Sequence, residues 1–220
     1  MSLARPLVAE IIGTALLTAV VFGSAMMGAQ LTPDAGLGLL VSSLATGAAL
    51  FVLITILGPV SGAHMNPAAT LAFALRREIA PGAAFGFVLA QIFGAILGAV
   101  VAHLMFQAPA LEVSIITRNS LSLWFSEIVA TAGLIFVILG GIAARGPVPA
   151  LVGAYIMAGY WFTASTSFAN PAMTIARTLT GSGAGLRPVD LPAYLVSQFL
   201  GALLGFALAQ WLFAKEKPPA

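Results

Sequence analysis

Asn66-Pro67-Ala68 recurs as Asn170-Pro171-Ala172, and each tripeptide opens an apolar segment too short to cross a membrane by itself. Asparagine is a strong N-cap, and proline is favoured at the first helical position, where an N–H would have no intrahelical partner. Both tripeptides therefore predict helix starts. Ten residues of helix rise about 15 Å, half of a hydrocarbon core of roughly 30 Å. Asn66 to about Leu75 and Asn170 to about Leu179 thus fit half-helices that begin at the midplane and end at a surface. Placed head to head, they make one more span.

The chain around them is built for lipid. Of 220 residues, 60% are hydrophobic and 7% charged, whereas a soluble domain carries roughly 25% charged residues. Six stretches approach the ~20 apolar residues of a spanning helix, at about 5–27, 37–58, 81–106, 121–143, 147–165 and 191–213. With the loops sorted alternately, Arg5, Arg76, Arg77, Arg145, Lys215 and Lys217 share one side, and Arg118, Arg177 and Arg187 the other. The richer side is the cytoplasmic one, so both termini are expected there. Arg5 and the apolar run after it have the look of a secretory leader, but Glu10 inside that run points to a retained first helix.

Several chemistries drop out. Without cysteine there is no disulfide framework, thiolate metal site or thiol nucleophile. His64 and His103 stand too far apart for a metal motif, and neither a metal nor a cofactor is expected. No nucleophile, base and acid converge in the sequence, which argues against an enzyme. The cations flank the spans, so the net charge of +2 points to the lipid bilayer as partner and not to nucleic acid.

The chain also repeats itself. Ala9-Glu10-Ile11-Ile12-Gly13-Thr14-Ala15 is echoed by Ser126-Glu127-Ile128-Val129-Ala130-Thr131-Ala132, and the run from Gln91 to Gly98 by the run from Gln198 to Gly205. A single domain over 1–220, made of repeats at about 5–107 and 121–214, follows. Each half has an odd number of spans, so the second copy is inverted about an axis in the membrane plane. Gly94, Gly98, Gly201 and Gly205 fall on one helix face per repeat and predict close helix packing. Glu10 and Glu127 are costly inside a span. Their matched positions predict structural carboxylates that accept backbone N–H groups from the re-entrant loop of their own half; proton carriage is the alternative.

The stretches Gly58 to Met65 and Thr163 to Ala169 lead into the half-helices. Irregular backbone at membrane depth must be buried in protein or line a cavity, so these carbonyls predict a polar pore wall. An asparagine whose oxygen caps its helix has N–H donors to turn toward the lumen. The two helix starts add about half a positive charge each. Such a centre accepts neutral hydroxylated molecules and repels cations, hydronium included.

Ser61-Gly62-Ala63-His64-Met65-Asn66-Pro67-Ala68, the second Asn170-Pro171-Ala172 and the paired glutamate helices closely resemble the aquaporin or major intrinsic protein family, over essentially the whole chain. The resemblance implies an all-α membrane bundle of six transmembrane helices plus two re-entrant half-helices. It also implies one pore per subunit, a homotetramer in the bacterial inner (plasma) membrane, and water and small neutral solutes as cargo.

The family's outer constriction uses an arginine directly after the second tripeptide, with partners from the second and fifth helices. Carried over by spacing, the selectivity-filter positions are Met173 for the arginine, Thr46, Ala158 or its neighbour Gly159, and Ser167 in the loop. Both the fixed cation and the narrowing aromatic are then missing. Arg177, one turn later, is left with three readings: a replacement charge at the mouth, a snorkelling cation, or a partner of Asp190. His64 is expected to be partly exposed to the pore, and His103 to be structural or interfacial. The run from Asn170 to Thr180 resembles bacterial aquaporins encoded with arsenic-resistance genes. Arsenite and methylated arsenicals, with polyols such as glycerol, are the cargo this implies. A water-selective aquaporin, an inverted-repeat secondary transporter and a closed pore are the alternatives.

Overall fold

The computed structural model describes residues 3–214; Lys215 and Lys217, counted in the charge asymmetry above, lie outside that range. The helices are α1 (Ala4–Leu31), α2 (Ala35–Ser61), α3 (Pro67–Leu75), α4 (Pro81–Met105), α5 (Leu121–Ala143), α6 (Val148–Phe162), α7 (Pro171–Ala176) and α8 (Leu191–Leu212). Six match the predicted spans to within a few residues, and α3 and α7 are the predicted half-helices.

Three boundaries differ, each for a physical reason. The helix α2 runs through Pro59 to Ser61, so irregular backbone begins at Gly62, not Gly58; proline costs the last turn one hydrogen bond without ending it. The helix α6 has 15 residues, a rise of about 22 Å, and stops where the Thr163 hydroxyl donates to the Gly159 carbonyl at 2.7 Å. Residues 163–169 carry the chain onward to the second tripeptide. The helix α7 has six residues and closes in a 3-10 turn, Arg177–Leu179. The carbonyls of that turn are taken by Leu186 N at 3.0 Å, Ser114 N at 3.0 Å and Glu112 N at 3.2 Å, so the loops cap the half-helix from outside.

In lipid, apolar surface does not drive helices together; close backbone approach does. α1 packs along α4, and α5 along α8. A Cβ added at Gly94 would stand 2.5 Å from the Ile11 carbonyl oxygen, and one at Gly201 2.5 Å from that of Ile128. At Gly98 and Gly205 it would overlap the carbonyls of Ala15 and Ala132. The same helix pair is thus built twice. α2 and α6 join the halves at Gly47 and Gly153, where a Cβ on Gly153 would lie 2.7 Å from the Gly47 carbonyl oxygen.

The outer faces carry exposed Phe85, Phe93, Phe125 and Trp211, while Glu10, Gln91, Glu127 and Gln198 are fully buried. Apolar side chains face outward and the hydrogen-bonding groups face in, the arrangement that a hydrocarbon solvent imposes. Gly98→Ala is expected to lower stability by about 1–3 kcal/mol through overpacking. Gly82→Ala, with nothing within 4 Å of the added Cβ, should change it by no more than about 0.5 kcal/mol. Unfolding of both variants in detergent micelles checks the pair.

Candidate pore centre

The two re-entrant loops share an unusual backbone. Counting back from each asparagine, the fourth, third and first residues have positive φ in both halves: Gly62 at 83°, Ala63 at 50° and Met65 at 47°, then Thr166 at 62°, Ser167 at 53° and Ala169 at 45°. All but Gly62 carry a Cβ, and the left-handed region costs such residues about 1–2 kcal/mol each. Something must hold the loops there.

Buried carboxylates do so. Glu10 Oε1 accepts from the Ser61 hydroxyl at 2.6 Å and His64 N at 2.9 Å, and its Oε2 from Met65 N at 2.6 Å and Gln91 Nε2 at 2.7 Å. Glu127 accepts from Phe168 N and Ala169 N, each at 2.9 Å, and from Gln198 Nε2 at 2.6 Å. Both side chains serve the loop of their own half. Each glutamine also donates to a threonine hydroxyl, Gln91 to Thr70 at 2.9 Å and Gln198 to Thr174 at 2.8 Å. Those hydroxyls in turn donate to the carbonyls of Asn66 at 3.0 Å and Asn170 at 2.8 Å. Carboxylate, amide, hydroxyl and asparagine backbone form one relay in each half.

The asparagine side chains complete the centre. Asn66 Oδ1 accepts from Ala68 N at 2.8 Å, and Asn170 Oδ1 from Ala172 N at 3.1 Å and Met173 N at 3.3 Å. Pro67 and Pro171 occupy the first helical positions, and with Ala68 and Ala172 they are buried behind the asparagines. The amide nitrogens do not simply face a lumen. Asn66 Nδ2 donates to the Ala169 carbonyl and Asn170 Nδ2 to the Met65 carbonyl, both at 2.8 Å, so each asparagine is pinned to the opposite loop. An NH2 group has two hydrogens, and one on each side is left.

Both asparagines border a cavity of about 410 Å³ walled by Leu50, Ile54, Leu134, Ile138, Val152 and Ile156. Thr46, Ser167, Met173, His64 and Arg177 also line it. The Ser167 hydroxyl has no partner among the described residues. His64 both lines the cavity and is tethered: Nδ1 lies 3.1 Å from the Thr70 hydroxyl, and the ring stacks on Phe73 at 4.5 Å. His103 lies elsewhere, joining the Ala110 carbonyl at 2.9 Å to the Thr180 hydroxyl at 2.8 Å.

Two filter positions carried over by spacing fall outside the cavity. Ala158 is exposed on the far side of α6. The inward face is Val152, Ile156 and Tyr160, spaced by four, and Ala158 sits two residues, about 200°, away from it. Gly159 leaves room for the loop, since a Cβ there would stand 2.7 Å from Ser167 Oγ. An aromatic borders the cavity at a position the spacing does not mark. The Tyr160 ring lines the cavity, and its hydroxyl is 3.0 Å from that of Thr46.

Arg177 does not pair with Asp190, whose carboxylate meets Arg187 at 3.0 Å and Arg118 N at 2.9 Å. It points inward, with Nη1 donating to the Ala184 carbonyl at 2.6 Å. Arg118, in the α4–α5 connection, donates to the Gly185 and Gly183 carbonyls at 2.9 and 3.0 Å; burial holds its guanidinium below the usual arginine range. The sequence alone assigns no role to Gln91, Gln198, Thr70 and Thr174, although each threonine falls four residues after its asparagine and the glutamines head matching runs. Among the described residues, no three His, Asp or Glu side chains gather as a metal site.

Spanning helices around two half-helices that meet at cross-bonded asparagines define a membrane channel, not an enzyme. Residues 1–167 match the major intrinsic protein family. The chain is 50% identical over 217 residues to the aquaglyceroporin AqpS of Rhizobium meliloti, covering 98% of this chain and 93% of that relative. It is 28% identical over 228 residues to Aquaporin Z of Bradyrhizobium diazoefficiens, covering 96% and 93%. Its fold matches the solved aquaglyceroporin of Plasmodium falciparum with a TM-score of 0.77, over 97% of this chain and 96% of that one, at 22% identity. The chain belongs to the major intrinsic protein family.

Glu127→Gln replaces an acceptor by an amide and leaves at least one loop N–H facing an N–H donor. A loss of about 2–4 kcal/mol is expected, from charged hydrogen bonds removed and a buried donor orphaned. Denaturant unfolding in micelles measures it, with Glu112→Gln, in the α4–α5 connection, as the comparison.

Proposed function

We propose that this channel passively conducts small uncharged hydroxylated solutes, with arsenous acid, methylated arsenicals and polyols such as glycerol as the selected cargo and some water alongside. The carrying observation is a cavity with mostly apolar walls whose central polar groups are two pinned asparagines, with methionine at position 173. Each asparagine offers one N–H to a passing lone pair and nothing to a cation. Arsenous acid and glycerol are both neutral triols. A methyl group in place of a hydroxyl suits the Leu and Ile walls. The extended likeness to a relative named as an aquaglyceroporin supports the polyol part of this reading.

Asn66 and Asn170 are the cation barrier in this reading, and Met173, Thr46 and Ser167 set the width just beyond it. The chain works as a single domain of two inverted repeats, about 5–107 and 121–214. It assembles as a homotetramer in the bacterial plasma membrane, with both termini cytoplasmic and a pore in each subunit.

Solute-driven swelling of proteoliposomes tests the proposal with water, glycerol, urea, arsenite and methylarsonous acid. Faster swelling than in protein-free vesicles is expected for the neutral hydroxylated solutes. Met173→Arg should cut glycerol flux at least about tenfold, roughly 1.4 kcal/mol of added barrier, and water flux less. Equal rates with and without protein would overturn the reading.

A further inference from the structure

Toward the α1–α2 connection lies a second cavity of about 470 Å³, bordered by Arg118, Arg177, Ser42, Thr166 and Asp34. It shares Val21, Tyr160 and Arg177 with the inner cavity, so it stands on the route to the asparagines. Arg118 borders the outer cavity alone.

The two guanidinium groups come from distant stretches, the α4–α5 connection and the 3-10 turn after α7, yet one short loop holds both. Arg118 Nε donates to the Gly185 carbonyl at 2.9 Å and its Nη2 to that of Gly183 at 3.0 Å, while Arg177 Nη1 donates to the Ala184 carbonyl between them at 2.6 Å. Both also lie against the Phe168 ring, 5.1 and 3.7 Å from its centroid. Like charges are thereby kept close although they repel. Neither forms an ion pair: among the described residues the pairs are Arg76 with Glu78 and Arg187 with Asp190. Carbonyls and a ring fix the two arms without neutralising them.

The arrangement also leaves donors over. Arg177 is 5% exposed and its Nε is sealed without a partner. Arg177 Nη2, Arg118 Nη1 and the Ser42 and Thr166 hydroxyls make no hydrogen bond among the described residues. One group opposes an anion. Asp34 borders the same cavity, but it is exposed, its Oδ1 is taken by Leu37 N at 2.8 Å as the cap of α2, and water screens a charge so placed.

We infer that this outer cavity binds a tetrahedral oxyanion of the sulfate or phosphate class, with Arg118 and Arg177 as two arms of a clamp and Ser42 and Thr166 as further donors. Guanidinium groups bond such anions through several oxygens at once, and an ion that bridges two arms removes their mutual repulsion as well. Chloride has a single centre and cannot divide itself among four donors. A seated oxyanion occupies the route to the asparagines, so it blocks neutral solutes arriving from that side. Binding itself does not depend on the channel reading; the block does.

The test uses the purified full-length protein in maltoside micelles, which carry no phosphate headgroups, heated in sodium sulfate or in sodium chloride of equal ionic strength. Sulfate at low millimolar concentration, below the range in which it stabilises proteins generally, is expected to raise the unfolding midpoint saturably. The apparent dissociation constant should rise at least about tenfold in Arg118→Gln, which loses a charged donor. Asp34→Asn retains a capping oxygen for α2 and removes the opposing charge, so it should tighten sulfate about twofold to fivefold. Competition between sulfate and short-chain phosphatidylglycerol would assign the site to a lipid phosphate, and its absence to the free ion. In proteoliposomes with the salt on both sides, sulfate should slow glycerol-driven swelling of the parent more than chloride does, and slow Arg118→Gln less, each protein judged against itself in chloride.

Equal midpoints in sulfate and chloride would overturn the site, as would a sulfate effect that neither variant changes. Should Arg118→Gln fail to assemble, Asp34→Asn decides alone. Sulfate that binds without slowing glycerol overturns the block. A parent that conducts no glycerol even in chloride refutes the channel reading and leaves the binding result standing, a different outcome from either.

Discussion

Two buried carboxylates determine what the rest of the molecule can be. Backbone at membrane depth has no water to bond, so a loop that leaves helical geometry there must find partners within the protein. Glu10 and Glu127 supply them, each gathering consecutive N–H groups from one re-entrant loop. Acceptance by a fixed carboxylate offsets the left-handed φ values at Ala63, Met65, Thr166, Ser167 and Ala169. The loop carbonyls, pointing the other way, become free for other uses. Two of them, on Met65 and Ala169, receive the asparagine amides of the opposite half.

That cross-bonding explains why asparagine and no other residue stands at the helix starts. The position needs an acceptor for the helix N–H groups, a donor for the opposing loop and a second donor for whatever passes. Aspartate has the acceptors without the donors; serine has a single donor; glutamine is a methylene too long to cap from the same place. The inversion of the repeats makes the requirement reciprocal. Each tripeptide is the binding partner of the residue just before the other, and neither half has a finished centre alone.

The local signals were legible in the sequence. Asn-Pro capping located both half-helices, apolar length located the spans, and the recurrence of glutamate, glycine and glutamine at matched offsets disclosed the doubled helix pair. What depended on the rotation of a helix about its own axis was not. Ala158 and Tyr160 are two residues apart, and counting from the tripeptides cannot say which faces inward; the Thr46 hydroxyl and the Gly47–Gly153 crossing decide it. The length of α7 was equally hidden, because the carbonyls of the 3-10 turn that ends it are captured by Leu186 N from the connection just ahead and by Ser114 N and Glu112 N from the distant α4–α5 connection. The cross-half hydrogen bonds were invisible for a like reason: no pattern within one repeat contains them.

Met173 shows how the architecture tolerates change where the proposed function is most sensitive to it. Its backbone N–H is already capped by Asn170, and the relay that fixes Asn170 runs through Thr174, Gln198 and Glu127 without touching the Met173 side chain. None of the hydrogen bonds that shape the centre therefore depends on the side chain at 173. Arg177 is bound differently, by its own carbonyl to Leu186 N, by Nη1 to Ala184 and by its plane to Phe168. A charge placed there is held by a shelf of loop backbone and aromatic ring that is anchored to Glu127 at one remove. The same carboxylate that bends the second loop thus also steadies the cation beyond it, and a positive charge can stand one turn further out without any change in how the half-helices meet.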